Sequence, residues 1–206
     1  MPEHSGLRLV ALKCKKCGSL LNADNRDVVF YCGNCDSGFE LINEKDELVT
    51  VDIDFAIPNK KMNAQVVYYP FWVYDANIKI DSRDAAGSIT GFITNIFGKE
   101  DKKVGKFYVP AFETPLENIR KLGLEFTKSQ PEFDVIKKGT LKGCSYSSKD
   151  AEKLADFIFL SIEAGKSDML RNITYSLGLS SPKVIAVPFY KLSGSGMVDG
   201  IIGVNI

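Results

Sequence analysis

Histidine is almost absent from this chain, with one in 206 residues, at His4. A single imidazole at the fourth residue supports little acid–base chemistry, because pairing it with Cys144 needs the terminus to fold back onto the core. Net charge is absent too: 26 basic side chains balance 26 acidic ones. A domain that grips nucleic acid mainly through phosphates carries a basic excess or stripe, whereas residues 1–50 hold six basic residues against eight acidic ones. No apolar run approaches the roughly 18 residues of a membrane span. The longest candidate, Phe157 to Ile162, is bounded by charge on both sides. The first residues lack the long apolar stretch of a secretory leader, so the expected compartment is the cytosol. No phosphate-binding loop is present either. Ser193 to Gly200, Ser-Gly-Ser-Gly-Met-Val-Asp-Gly, lacks the lysine and the strand-to-helix context, and reads as a hairpin turn.

What the chain does have is 45% apolar content, enough for a sizeable core plus a small module, and five cysteines. Four of these form two Cys-x-x-Cys pairs, Cys14/Cys17 and Cys32/Cys35, with Cys144 alone. In a reducing compartment disulfides are rare, so paired cysteines at this spacing point to metal. Each pair wraps two thiolates around one side of an ion, and Gly18 and Gly33 supply turn conformations that bulkier residues resist. Four sulfurs close a tetrahedron with no vacancy for water, which suits one structural zinc and argues against a hydrolytic one. Binding of this kind contributes on the order of 10 kcal/mol to folding a small module.

Cys14-Lys-Lys-Cys17-Gly and Tyr31-Cys32-Gly-Asn-Cys35 resemble the paired knuckles of the zinc ribbon family, and the following Gly-Phe-Glu-Leu-Ile and Glu-Leu-Val-Thr-Val resemble its closing strands. The resemblance covers about residues 10–55 and implies a small antiparallel sheet holding one Zn2+ through Cys14, Cys17, Cys32 and Cys35. It implies no particular partner, since ribbons serve transcription factors, polymerase subunits, ribosomal proteins and helicases alike. Rubredoxins hold a redox iron on similar knuckles, which leaves an electron carrier as an alternative. Lys13, Lys15 and Lys16 beside the first knuckle are available either to offset thiolate charge or to meet phosphate.

Beyond the knuckles, Leu48 to Ile57 alternates as one strand with Val49, Val51, Ile53 and Phe55 inward and Asp52 and Asp54 on the solvent side. Polar Pro58 to Gln65 marks the boundary between a ribbon over 1–57 and an α+β domain over 65–206. That domain opens with an aromatic strand, Val66 to Ile80, forming a hairpin with Ile89 to Phe97. Pro70 within it calls for an edge, an end or a bulge. Pro70-Phe71-Trp72 and Pro188-Phe189-Tyr190 echo each other as an internal repeat would. Thr114 reads as the cap of a helix with Glu117 closing a capping box and Leu116, Ile119, Leu122 and Phe126 on one face. A second helix starts at Ser147 or Ser148, stops at Gly165, and buries Leu154, Phe157, Ile158 and Ile162. A strand over Asn172 to Leu179 then precedes a final hairpin from Val184 to Ile206. The order predicts an α+β fold: an N-terminal four-cysteine ribbon, then a largely antiparallel sheet with two main helices on one face.

Few groups suggest catalysis. Cys144 reads as an ordinary half-buried thiol, and Asp75 and Asp199 form an acidic pair only if the two similar hairpins meet. Tyr68, Tyr69, Phe71, Trp72 and Tyr74 divide between core and one sheet surface, where an exposed set offers stacking or partner contact. These features favour a non-enzymatic adaptor that binds a protein partner and has no membrane span. The alternative is a nucleic-acid-binding accessory factor, and a third reading is an enzyme built on Asp75, Asp199 or Cys144.

Overall fold

The computed structural model describes residues 12–42, 47–85, 105–137, 139–164, 170–192, 194 and 196–206. It is an α+β protein with two sheets. The first is antiparallel and three-stranded, in the order β1 (Val29–Cys32), β2 (Ser37–Ile42), β3 (Glu47–Val51). The second is six-stranded and mixed. Its path runs β6 (Gly105–Pro110), β5 (Val66–Ala85), β8 (Leu170–Lys191), β4 (Ile53–Ala56), β7 (Val135–Ile136), with β9 (Met197–Asp199) on β8. All its pairings are antiparallel except β4 with β8. The helices are α1 (Leu116–Ser129) and α2 (Ser148–Ala164).

The alternating segment from Leu48 to Ile57 is two strands in two sheets. Val51, Ile53 and Phe55 are buried as the pattern requires, while Val49 is half-buried and Leu48 is buried in its stead, and the chain changes sheet at exposed Asp52, whose carbonyl accepts the Val184 amide at 2.8 Å. A period-two pattern reports which side chains point inward and says nothing of which neighbour the backbone pairs with. Asp54 is no idle solvent carboxylate, since Lys137 Nζ lies 2.5 Å away.

The segments expected as separate strands over 172–179 and 184–190 are one strand, β8, paired with β5 from Val66↔Tyr190 to Ala85↔Leu170. Continuity is kept by a bulge: register shifts between Val73 and Asp75, opposite Ser181 with φ 53° and Pro182. The extra residue lets a proline sit in a long strand without breaking its ladder. Pro70 is tolerated differently. Pairing with β6 ends at Phe71↔Pro110, and the Pro70 carbonyl accepts the Ala111 amide at 2.9 Å. The missing N–H therefore faces the side where β6 has stopped. The echo of Pro70-Phe71-Trp72 in Pro188-Phe189-Tyr190 places the two segments on adjacent antiparallel strands, with Tyr68 opposite Pro188 and Pro70 opposite Ala186. The strand expected over 89–97 lies outside the described residues, as do His4, Gly165 and the turn at 43–46.

Both faces of the sheet are covered along 71–76 and 184–190, so Phe71-Trp72-Val73-Tyr74 is apolar without a break, whereas along 170–183 one face is exposed. Trp72, Tyr74, Phe107, Val109 and Val184 meet Ala151, Ala155, Ile158 and Phe159 of α2, together with Val29 and Val51 of the first sheet. On the opposite face Phe71, Val73, Ile185, Val187 and Phe189 meet Leu122 and Phe126 of α1 and Ile201 near the C-terminus, so the two helices do not share one face as expected: α1 lies at the sheet edge and only its Ile119 joins the α2 side. No aromatic set of this strand is exposed: Phe71, Trp72 and Tyr74 are buried and Tyr68 and Tyr69 half-buried.

Helix α1 runs along the edge strand β6. Thr127 Oγ1 accepts the Tyr108 amide at 3.0 Å, and Gln130 accepts from the Lys106 amide and donates to its carbonyl, at 2.8 and 2.6 Å. These side chains pair the groups an edge leaves open. The helix starts differently from its expected capping box. Pro115 occupies the cap without a side-chain bond, Thr114 Oγ1 instead accepts from Asn118, and Leu116 is 59% exposed, while Ile119, Leu122 and Phe126 are buried. In α2 the cap is as expected, with Ser147 Oγ accepting the Asp150 amide at 3.1 Å. Its buried stripe is rotated to Ala151, Ala155, Ile158 and Phe159, leaving Phe157 exposed. Small alanines let the helix approach the sheet closely, and this decides the face over side-chain size.

Candidate metal centre

The two knuckles share one local geometry. The Gly18 amide donates to the Cys14 carbonyl and the Asp36 amide to the Cys32 carbonyl, each at 2.9 Å. The residue after the second cysteine is left-handed in both, Gly18 at φ 75° and Asp36 at φ 55°. The second knuckle thus makes its turn at Asp36, a residue type that tolerates this conformation, and Gly33 has no such duty.

This places Cys14, Cys17, Cys32 and Cys35 with all four Sγ atoms within 4.8 Å of one another. Cys14 and Cys35 are 3.4 Å apart and Cys17 and Cys32 3.6 Å. These separations far exceed a disulfide bond of about 2.05 Å. They approach the roughly 3.8 Å edge of a tetrahedron with metal–sulfur bonds of about 2.3 Å. The donor set therefore fits a metal ion, and no imidazole or carboxylate joins the group among the described residues. Cys14 and Cys32 sit in a small core with Leu21, Phe30, Phe39 and Leu48, whereas Cys17 is exposed.

Neighbouring polar groups set the thiols apart. Bonds from Asn34 Nδ2 and Ser19 to Cys17, the former at 3.5 Å, bring it down to about 5. For Cys35 the Ser37 hydroxyl at 3.4 Å favours the thiolate, but burial and the other three thiols outweigh it and push it up to about 11. A shared cage of this kind gives up its protons as a set when a cation enters. Of the three lysines nearby, Lys15 pairs with Glu47 of β3 at 3.2 Å, and all three are exposed.

The remaining candidates do not converge. Asp75 pairs with Lys106 of β6, which holds its carboxyl below the usual range. Asp199 is buried and its carboxylate accepts the amides of Ile201, Ile202 and Val204, so it shapes a turn. Along β8 their partners are Ser180 and Phe189. Nine residues of strand put them about 30 Å apart, and no acidic pair forms. Cys144 is wholly buried, more so than expected, and burial pushes its thiol well up.

The seam between the two sheets carries residues the sequence pattern did not reveal. Glu40 of β2, 5% exposed, accepts the Ser148 amide at 2.6 Å and the Ser148 hydroxyl at 2.8 Å, at the start of α2. The Tyr31 hydroxyl bonds Asp36 Oδ1 at 2.7 Å and meets the Lys137 carbonyl, while its ring packs edge-on against Phe55. The Cys144 carbonyl accepts the Val28 amide at 2.9 Å. The only early sign was a lone charge in the apolar run Gly-Phe-Glu-Leu-Ile. A cavity of about 130 Å³ remains at this seam beside Asp27, too small for an ordinary ligand.

Fold and site together define an α+β protein with four cysteines clustered within metal-binding distance. None of the protein families, curated proteins or solved structures compared with the chain matches it. No helix among the described residues is long and apolar enough to cross a membrane.

Proposed function

We propose that this is a cytoplasmic, non-enzymatic interaction protein in which a zinc ribbon, closed by one structural Zn2+ on Cys14, Cys17, Cys32 and Cys35, is fused to an α+β domain and presents it to a protein partner. The observation that carries the reading is the closed set of four sulfurs within 4.8 Å. With every position of a tetrahedron filled by thiolate, the ion has no place for water or substrate and its work is to hold the sheet. Supporting it, Asp75, Asp199 and Cys144 are each occupied by local structure. The test has two parts. Protein purified without added metal is analysed for zinc and iron and for thiol content, expecting about one zinc per chain. Crosslinking in cells followed by peptide mapping then looks for a recurrent protein neighbour. Iron with a reversible redox signal would replace the adaptor by an electron carrier.

A nucleic-acid role keeps one supporting feature, the exposed Lys13, Lys15 and Lys16 beside the first knuckle. The stacking half of that reading has lost Phe71, Trp72 and Tyr74 to the core. Affinity for RNA or DNA that falls steeply with salt and with charge-reversal of those lysines would favour it.

A further inference from the structure

The first turn of α2 is held by side chains from both sheets. From the larger sheet, the Trp72 indole donates to the Tyr146 carbonyl at 2.9 Å and the Tyr74 hydroxyl to the Ser148 carbonyl at 2.7 Å. From the smaller sheet comes Glu40, whose carboxylate takes both the amide and the hydroxyl of Ser148 and meets the positive end of the helix. A carboxylate this buried stays in place only while its backbone is rigid, since water competes for it the moment it can swing out. Its backbone belongs to β2, which begins two residues after Cys35 and pairs with β1 from Cys32↔Ser37 to Val29↔Glu40. That ladder starts on one side at Cys32 and on the other two residues after Cys35, both members of the four-cysteine group. Beside the contact a cleft of about 180 Å³, lined by Leu41, Ile42, Ser147, Lys149, Asp150 and Lys153, gives water a route to it.

We infer that metal occupancy of the four-cysteine site controls the order of the first turn of α2 through Glu40, making this helix a metal-responsive element of the larger domain. The inference rests on the metal reading above. When the ion leaves, β1 and β2 lose their common anchor, Glu40 leaves Ser148, and the helix start keeps its Ser147 cap and the Trp72 and Tyr74 contacts. The central strands, buried on both faces by other elements, stay formed.

Hydrogen exchange on the full chain under reducing conditions tests this, comparing zinc-loaded protein with chelator-stripped protein, with zinc measured on the same samples. Stripping is expected to speed exchange across 28–42 and about tenfold at 148–154, the scale of losing a charge-assisted cap, while 71–76 and 105–110 are unchanged. Glu40→Gln is expected to bind zinc at the same stoichiometry and protect 28–42 normally. Exchange at 148–154 in this variant should already be fast and should respond little to stripping. Unchanged protection at 148–154 on stripping overturns the coupling while leaving the metal site intact, as does a Glu40→Gln protein that responds as the parent does. Absence of bound zinc, with no change at 28–42, sinks the metal reading and the coupling together.

Discussion

The two sheets differ in what keeps them folded. The first has a core of Leu21, Phe30, Phe39 and Leu48 with two cysteines among them. The second buries both of its faces along 71–76 and 184–190, under α2 on one side and under α1 and the C-terminal residues on the other, while one face of its far end is exposed. Few apolar residues cannot offset the entropy of ordering some forty residues, so the small sheet needs a staple and the large one does not. Stability is therefore local in kind, resting on the cysteine cluster in one part and on packing in the other, with Glu40, Tyr31 and Phe55 joining them.

The largest effect should come from the staple. Replacing Cys14 and Cys32 by alanine, or stripping the ion, removes on the order of 10 kcal/mol from the small sheet. Circular dichroism and a thermal melt should still show a cooperative transition from the large sheet, and complete unfolding of the chain would break the comparison. Next comes the joint. Phe55 is fully buried between Tyr31 and Tyr68, and Phe55→Ala is expected to cost about 3–5 kcal/mol, read as a lower denaturant midpoint in both regions. Gly139→Ala acts on the same ring from outside, because a Cβ at 139 runs into Phe55, and should cost about 1–3 kcal/mol.

Asp199→Ala probes the large domain alone. Its carboxylate accepts three turn amides, and losing it should cost about 1–3 kcal/mol with zinc affinity unchanged. A fall in zinc affinity would show that the regions are less separate than their cores suggest. The smallest effect is at Asp75, whose partly exposed pair with Lys106 is worth at most about 1 kcal/mol. Its pKa is depressed in the folded state, so its stabilisation is present above the unfolded value of about 4 and is lost as pH falls through the lower folded value. Urea midpoints of the parent and Asp75→Asn should differ at neutral pH and converge in acid, and an equal difference at both would remove the ion pair as the cause.

Local chemistry was readable and long-range pairing was not. The cysteine set, the cap at Ser147 and the inward positions Val51, Ile53 and Phe55 each follow from residues within a few positions of one another. The misreadings concern context. Phe157 looked like a core residue until alanines at 151 and 155 gave α2 its contact face. Leu116 sits in an apolar pattern but lies outward because Pro115 begins the helix. The bulge at Ser181 and Pro182, which turns two expected strands into one, depends on a partner strand about a hundred residues away.

By itself the sequence determined which four cysteines cluster, since a Cys-x-x-Cys pair converges through a single turn of backbone. It also determined the α+β class, through periods of two and 3.6 that individual strands and helices impose. Only the tertiary structure decided that the chain changes sheets at Asp52, that Cys144 is sealed, and that Glu40 meets Ser148 across 108 residues. A buried charge has no local signature, because its partner is chosen by how separate elements pack.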